Sequence, residues 1–198
     1  MTRFDSFDGW SDRMAKVIAG MTMSLDCFVA DRNGSVDLLY PDLENLHGTE
    51  YLNDMIRGTG AVMMGRKAFE MADDPDWYVG NYEFQVPIFV VTHRPPRVAP
   101  KHDEHLTFTF VTDGVASAVA QAKNAAGAKA VQSIGGASLT RQLLGAGLVD
   151  ELNIDVMPVL LGEGLRLFGE GDLARIQLET IDVRQIGPRT SLRFRIKK

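Results

Sequence analysis

Cysteine is nearly absent from this sequence. Cys27 is the only one among 198 residues, which excludes an internal disulfide framework and any metal site built from several cysteines. A single thiol fits a reducing compartment. His102 and His105 lie in the run KHDEH, for which a solvated loop after Pro100 is the preferred interpretation over a metal site. No metal is therefore predicted.

The chain also lacks an excess of positive charge and a long apolar run. It has 21 Lys and Arg against 26 Asp and Glu, a formal net charge of −5. Proteins that bind along nucleic-acid phosphates are usually basic, so no nucleic-acid partner is expected. No apolar run approaches the ~20 residues of a membrane span, and the first residues carry no apolar core of a signal peptide. We therefore expect a cytoplasmic protein without a membrane partner.

The composition that remains is that of a folded domain. Hydrophobic residues make up 45% of the chain and charged residues 24%, close to the values of ordinary globular domains. At ~150 residues per domain the length predicts a single domain. Residues 1–14 are polar with scattered aromatics, which predicts an N-terminal extension followed by one domain over residues 15–198.

Apolar runs alternate with helical patterns through this domain. Such alternation predicts an α/β fold with a mostly parallel central sheet and helices on both faces. A Gly187–Pro188 turn near the end predicts a C-terminal antiparallel hairpin. The predicted strands span residues 16–23, 61–64, 86–92, 108–111, 128–134, 149–156, 176–185 and 191–196, the predicted helices 44–57, 65–71, 115–126 and 135–144, and a predicted loop 24–37.

Two strand-to-helix junctions carry glycine where a helix begins. Gly65, Arg66 and Lys67 follow one predicted strand, and Gly135 and Gly136 follow another. Ligands of open α/β sheets bind at the carboxyl ends of the strands, and the free N–H groups of a helix N-terminus bind phosphate. Cations in a first helical turn oppose the helix dipole, so an anionic ligand would explain their presence. Each junction alone also fits a solvated turn.

A third junction places His93 and Arg94 after the strand that ends at Thr92. In dinucleotide-binding folds an acid near such a position prefers NAD, whereas an arginine accommodates the 2′-phosphate of NADP. A polar loop is the alternative interpretation. Taken together, the three junctions predict a dinucleotide-binding edge of the sheet.

The residues at these junctions resemble the dihydrofolate reductase superfamily. The segments AVMMGRKAFE, IFVVTHR and IGG carry the resemblance, and SLD, ADDP, GLVDEL and PVLLGEG point to the reductase domain of the bifunctional riboflavin biosynthesis deaminase-reductase. The likeness covers roughly residues 15–196. It implies a dihydrofolate-reductase-like fold, a homodimer, and NADPH-dependent hydride transfer to a small pterin- or pyrimidine-like heterocycle. The family activity is that of 5-amino-6-(5-phosphoribosylamino)uracil reductase.

The resemblance also implies which residues hold the cofactor. The backbone at Ala19 and Gly20 would dock the nicotinamide carboxamide, and Asp73 would line the cofactor cleft. The phosphates and adenosine would contact Gly65, Arg66, Lys67, Thr92, His93, Arg94, Gly135, Gly136, Ala137, Ser138 and Leu139.

Several positions depart from the riboflavin reductase pattern. The glycine after SLD is Cys27, the substrate-binding glutamate before the Gly-rich loop is Ile134, and the arginine that meets the substrate phosphate is Gly80. Neither Ile134 nor Gly80 can bind a phosphate. We therefore expect poor activity on the phosphoribosylamino-pyrimidine, unless Arg97 or Lys101 from the next loop supplies the missing charge.

Four further residues are candidates for the substrate side. Asp26 would orient the substrate or relay a proton, or it stabilises an Asx-type turn. Trp77 and Tyr82 would wall a planar substrate, or they only pack. Glu163, between two glycines, approaches the ligand cleft or belongs to a plain turn.

Three functions remain open at this point. The leading prediction is an NADPH-dependent oxidoreductase acting on a small molecule. The alternatives are a dinucleotide-binding module without turnover and a reductase that uses a flavin-type cofactor.

Overall fold

The architecture is built on one large mixed sheet. A computed structural model describes residues 15–169 and 173–198, so the predicted extension over residues 1–14 lies outside the described residues. The strands are β1 Val17–Ser24, β2 Phe28–Ala30, β3 Thr59–Gly65, β4 Ile88–Val91, β5 Phe108–Val111, β6 Ala130–Ser133, β7 Glu151–Met157, β8 Leu165–Arg166, β9 Leu178–Ile186 and β10 Arg189–Ile196. The helices are α1 Leu43–Leu46, α2 Glu50–Gly58, α3 Arg66–Phe69, α4 Tyr78–Asn81, α5 Val115–Ala126 and α6 Ala137–Gly145.

The eight-stranded sheet has the order β5-β4-β3-β6-β1-β7-β10-β9. All neighbours from β5 to β7 pair in parallel, whereas β10 pairs antiparallel with both β7 and β9. The short strands β2 and β8 form a second, two-stranded sheet. The predicted parallel sheet with a closing antiparallel hairpin is thereby confirmed.

Alternation along β3 places the core on both faces of the sheet. Ala61 and Met63 point into one apolar cluster, which contains the inner faces of α5 and α6. Val62 and Met64 point into the other, which contains Phe69 of α3 and Tyr78 of α4. Because successive side chains of a strand face opposite ways, a central strand with a continuous apolar run requires cover on both sides, and helices supply it.

Two local predictions are wrong. The helix predicted over residues 44–57 is two helices, because the chain turns between them at Gly48, whose φ of +79° is unfavourable for residues with a side chain. Thr49 then caps α2 by accepting a hydrogen bond from the Leu52 N–H. The loop predicted over residues 24–37 contains the short strand β2, which pairs with β8.

A buried ion cluster ties the segment before α1 to the sheet. The Arg189 guanidinium, 2% exposed, donates to both carboxylate oxygens of Asp42 at 2.9 and 2.5 Å. It also donates to Asp155 at 2.9 Å, and Tyr51 of α2 donates to the same carboxylate. The hydrogen bonds from Arg189 hold the pKa of Asp42 below its usual value. The cluster connects Asp42, the residue before α1, to β7 and β10.

Within residues 15–169 and 173–198, no helix combines the length and the apolar character that crossing a membrane would require.

Candidate functional site

A long cleft of about 2120 Å³ opens at the carboxyl ends of β3, β4 and β6. Pockets for single drug-sized ligands measure ~300–1,000 Å³, so this cleft has room for a dinucleotide and a second small molecule. The three junctions named from the sequence all line it. The cleft continues toward the residues around β2, α1 and α4, which form its second end.

The two glycine-bearing junctions, after β3 and after β6, are joined to each other by their backbones. The Gly65 N–H donates to the Gly135 carbonyl at 2.7 Å, which links the end of β3 to the loop after β6. A Cβ on Gly65 would lie 3.6 Å from the Gly136 nitrogen, so the two backbone segments pass each other closely. Gly135 has a φ of +135°, a conformation that favours glycine. These glycines therefore build a close backbone floor beneath the cleft.

The helix α6 begins at this floor. Gly136 is its N-cap residue and provides no side-chain cap. The Thr140 N–H donates to the Gly136 carbonyl, which leaves the N–H groups of Ala137, Ser138 and Leu139 without an intrahelical acceptor. All three residues line the cleft. Uncapped N–H groups at a helix N-terminus are suited to an anion.

The third junction, after β4, is a tight polar turn. The Thr92 hydroxyl accepts a hydrogen bond from the Arg94 N–H at 3.1 Å and donates to the Arg94 carbonyl at 3.0 Å. Thr92 is buried, whereas His93 and Arg94 are exposed and line the cleft. Buried Thr92 thus fixes the backbone from which Arg94 projects at the cleft.

Four cationic residues from α3, α6 and the loop after β4 line the cleft. Arg66 forms an ion pair with Glu70 at 2.6 Å. Lys67, Arg94 and Arg141 form no ion pair with the residues that the structure describes, and all three line the cleft. Arg141 lies on α6 and was missed in the sequence, because only the position of the helix relative to the sheet shows that it reaches the cleft.

The strand β1 loses its pairing with β6 beside the cleft. The register between β1 and β6 ends at Ala19 and Ser133, but β1 continues to Ser24. From Gly20 onward the β6 side of β1 has no strand partner among the described residues. Met21 lines the cleft there; Ala19 and Gly20 do not. The docking of a carboxamide at this backbone stays a prediction, and the free strand edge is compatible with it.

Asp26 lies outside the lining of the cleft. Its carboxylate accepts hydrogen bonds from the Ser24 hydroxyl at 2.6 Å, the Leu161 N–H at 3.1 Å and the Gly162 N–H at 2.7 Å. These bonds, the one from Ser24 foremost, lower its pKa to about 2. Such contacts are those of a residue that fastens the loop over residues 158–164 to the β1–β2 turn, and a proton-relay role stays a prediction.

The other substrate-side candidates divide between cleft and surface. Trp77 and Tyr82 line the cleft, as does Asp73, which the resemblance assigns to the cofactor side. Glu163 does not, but it pairs with Arg32 at 3.1 Å, and Arg32 is a lining residue. The roles of these residues therefore remain predictions. Glu163 contacts a lining residue but does not itself line the cleft.

Aromatic rings form much of the second end. Tyr82 stands edge-on to Tyr78 with 5.2 Å between ring centroids, and Tyr78 stacks on Phe69. Burial raises the pKa of Tyr78 to about 12 and that of Tyr82 well above its usual value. Tyr40 lies in the same region, and burial raises its pKa also. Their hydroxyl groups are therefore neutral at physiological pH.

Two lining residues of this second end were also missed from the sequence, Tyr40 and Glu83. Neither stands at a strand end, so the junction rule could not find them. Only Glu83 could have been suspected from the sequence, because it directly follows the substrate-side candidate Tyr82.

The departures from the riboflavin pattern lie at separate places. Ile134 lines the cleft, whereas Gly80 does not; the Gly80 N–H donates to the Gln85 side chain. Cys27 has a φ of +70°, the left-handed conformation that explains why glycine is usual there. Lys101 pairs with Asp76 at 3.4 Å, and neither Arg97 nor Lys101 lines the cleft.

The described ranges contain no group of three or more His, Cys, Asp or Glu residues placed to hold a metal ion.

Known proteins resemble this chain in sequence and in fold. YyaP, an uncharacterized protein of Bacillus subtilis (strain 168), is 26% identical over 182 residues, which is 87% of this chain and 89% of that one. A Shewanella sp. PV-4 protein provisionally assigned to riboflavin biosynthesis superposes with a TM-score of 0.73 at 22% identity, over 92% of this chain and 99% of that one. Dihydrofolate reductase from Enterococcus faecalis, complexed with NADP(H), superposes with a TM-score of 0.59 at 16% identity, over 93% and 98%.

These structures confirm the dihydrofolate-reductase-like fold. The family of the RibD C-terminal domain matches residues 15–192. Because this match spans nearly the whole described sequence, the chain belongs to the RibD C-terminal domain family.

Proposed function

We propose that this protein is an NADPH-dependent reductase that transfers a hydride to a small heterocyclic substrate. The observation that carries the proposal is the convergence of three glycine- or cation-bearing junctions on one cleft at the carboxyl ends of β3, β4 and β6. Membership of the RibD C-terminal domain family supports the same reaction class.

The residues that line the cleft can be assigned to the individual phosphates of a dinucleotide. The uncapped N–H groups of Ala137, Ser138 and Leu139 would hold the pyrophosphate. Lys67 would add charge from the first turn of α3. Arg94 would bind the 2′-phosphate, since no acid follows Thr92 to contact a free ribose hydroxyl.

When bound, the cofactor would supply the hydride, and the protein would supply orientation and exclusion of water. The unpaired edge of β1 at Gly20 and Met21 would orient the nicotinamide. The rings of Trp77 and Tyr82 would keep water from the substrate. No described carboxylate in the cleft is committed to proton transfer by its geometry, so the proton would come from solvent.

The test is the substitution Arg94→Ala with Arg97→Ala as the matched control. Both arginines are exposed in the loop after β4, but only Arg94 lines the cleft. A charge-assisted contact with phosphate is worth about 1.5–3 kcal/mol, so Arg94→Ala should weaken the affinity for NADPH by about tenfold or more. The affinity for NADH, which lacks the 2′-phosphate, should fall by less than threefold. Binding is measured by quenching of protein fluorescence.

Equal weakening of both cofactors by Arg94→Ala would contradict the 2′-phosphate assignment. Failure of the wild-type protein to bind either cofactor would overturn the proposed function. The absorbance spectrum of the purified protein checks the flavin alternative. NADPH oxidation with a panel of pyrimidines and pterins separates a reductase from a module without turnover.

A further inference from the structure

A second, smaller cavity lies between the helix α2 and one face of the large sheet. It measures about 180 Å³ and shares no lining residue with the cleft. Strand pairing brings its sheet side together, because Gln132 of β6 is in register with Ile18 of β1, and Asn153 of β7 with Arg193 of β10. The cavity is therefore separate from the proposed cofactor site.

Two buried polar side chains line this cavity without a hydrogen-bond partner. Gln132 is 3% exposed, and its amide forms no hydrogen bond with any described residue. A Cβ on Gly20 would lie 2.7 Å from the Gln132 Nε2, so the amide lies against the backbone of β1. Ser191 is also 3% exposed, and its hydroxyl lies near that of Tyr51 but not in hydrogen-bonding geometry. Buried polar groups normally have partners, so a bound molecule would satisfy these two.

Two further polar atoms at the cavity are buried and unpaired. They are the Asn153 Oδ1 and the Arg193 Nε, although another nitrogen of Arg193 donates to Glu151 at 3.1 Å. The cavity thus offers N–H donors from Gln132 and Arg193 and carbonyl acceptors from Gln132 and Asn153. Because a hydroxyl group both donates and accepts, a ligand with several hydroxyls would satisfy both kinds of group.

The ionised side chains around the cavity balance one another. Asp54 and Asp182 are acidic, and Arg184 and Arg193 are basic. Asp182 and Arg184 are paired with each other at 2.5 Å. An anion in the cavity would meet carboxylates and the oxygen of Asn153, and a cation would meet the Arg193 guanidinium. The lining therefore favours an uncharged ligand.

The lining also has an apolar part that water alone would not use. At ~30 Å³ each, about six water molecules would fill the cavity. Ile18 and Met55 line it beside the polar atoms, and apolar surface is better covered by C–H groups than by water. Asp54, Gly58 and Arg184 are exposed at its edge, so a small molecule can enter from solvent.

We propose that this cavity binds a small uncharged polyol, whose hydroxyl groups contact Gln132, Asn153 and Ser191 and whose carbon chain packs against Ile18 and Met55. The site goes beyond the proposed reductase function and does not rest on it.

Three probes with one carbon skeleton and different charge test the inference. Xylitol is the neutral polyol, xylonate is an anion and 1-amino-1-deoxyxylitol is a cation. Each is titrated into the ¹⁵N-labelled protein, with and without NADPH, while NMR follows the side-chain NH₂ signals of Gln132 and Asn153 and the backbone signals of α2. We expect saturable shifts with xylitol, a Kd that NADPH changes by less than twofold, and at least threefold weaker binding of both charged probes.

Two variants remove single polar groups from the cavity. Gln132→Met keeps the length of the side chain without its amide, and Ser191→Ala removes the hydroxyl. Each should raise the Kd for xylitol at least fivefold. Loss of an unpaired buried polar group costs little stability, so we expect both variants to fold, which circular dichroism checks. The melting temperature is not the readout for binding, because excluded osmolytes stabilise folded proteins in general.

The matched control is Gln121→Met, at an exposed position of α5 outside both cavities. It should leave the Kd for xylitol within twofold. Shifts that grow linearly with xylitol, or a Kd that neither cavity variant changes, would mean that the cavity holds water only and would overturn the inference. Saturable shifts confined to cleft residues would overturn it too, and equal binding of xylonate would overturn the assignment to an uncharged ligand.

The two proposals fail in different ways. If NADPH does not bind but xylitol binding depends on Gln132 and Ser191, the reductase function fails and the polyol site stands. If NADPH binds and xylitol does not, the polyol site fails and the reductase function is untouched.

Discussion

Asp26 connects two loops in the structure, and its predicted role in proton transfer can be tested against this structural role. Its three hydrogen bonds fasten the loop over residues 158–164 to the β1–β2 turn. Asparagine has a single side-chain oxygen, so it cannot accept from the Ser24 hydroxyl and both backbone N–H groups with equal geometry. We expect Asp26→Asn to lower the melting temperature at pH 7 and to leave NADPH binding within twofold.

The pH dependence follows from the lowered pKa of Asp26, about 2 in the folded protein, against ~3.9 in unfolded chains. The folded state then favours the deprotonated form, so the stabilisation is complete above pH ~4 and is lost as the pH falls through about 2. The difference in melting temperature between wild type and Asp26→Asn should therefore shrink over that range. A difference that stays constant, combined with an altered pH profile of turnover, would favour the proton relay instead.

At this scale the sequence identified cleft-lining residues near the strand ends and missed part of the second end. Arg66, Lys67 and Arg94 follow strands directly, and the carboxyl ends of parallel strands meet at one edge. Tyr40 and Glu83 stand in segments whose position depends on how α1 and α4 pack. No spacing rule links residues that are brought together only by tertiary contacts.

The element most dependent on one side chain is the segment that leads into α1. Asp42 precedes α1, and buried Arg189 at the start of β10 binds it through two hydrogen bonds. Arg189→Met would leave the carboxylates of Asp42 and Asp155 buried without their cation. Removing one partner of a buried pair costs about 3–5 kcal/mol. We expect a loss of that size in the free energy of unfolding, measured by urea denaturation.

The matched control for this prediction is Arg195→Met, also on β10. Arg195 pairs with Glu179 at the surface, where both side chains are about half exposed. Exposed pairs contribute about 0–1 kcal/mol, so the control should change the free energy of unfolding by less than ~1 kcal/mol. Equal losses in both variants would contradict the fastening role of Arg189.

Element boundaries followed the sequence where the local signal was complete. The strand Phe108–Val111 and the helix Val115–Ala126 have the predicted limits, since turn residues flank both. The prediction of one helix over residues 44–57 was wrong because the chain turns at Gly48, and the spacing of apolar residues does not indicate this turn. The strands β2 and β8 are too short to show a period of two.

For the molecule as a whole, topology was more predictable than the cleft. Alternating strand and helix patterns specify a parallel sheet because each parallel connection needs a crossover. The cleft, by contrast, is lined by residues between Met21 and Leu165 in the sequence. Much of its second end comes from segments with no regular hydrophobic pattern. The sequence therefore predicted which edge of the sheet carries the cleft, but not which residues line its second end.

The last prediction concerns association of the whole chain. The strand β9 is an edge of the large sheet and is exposed along most of its length, with Val183 58% exposed. A long exposed edge strand with apolar side chains favours pairing with another chain. We expect a homodimer by light scattering at micromolar concentration, as the resemblance to riboflavin reductases implies. Val183→Lys should shift the population toward monomer by placing a charge on this edge. Val98→Lys, at an apolar position 82% exposed in the loop after β4, should leave the dimer intact. A monomeric wild-type protein would contradict the expectation, and a dimer that both variants preserve would place the interface away from β9.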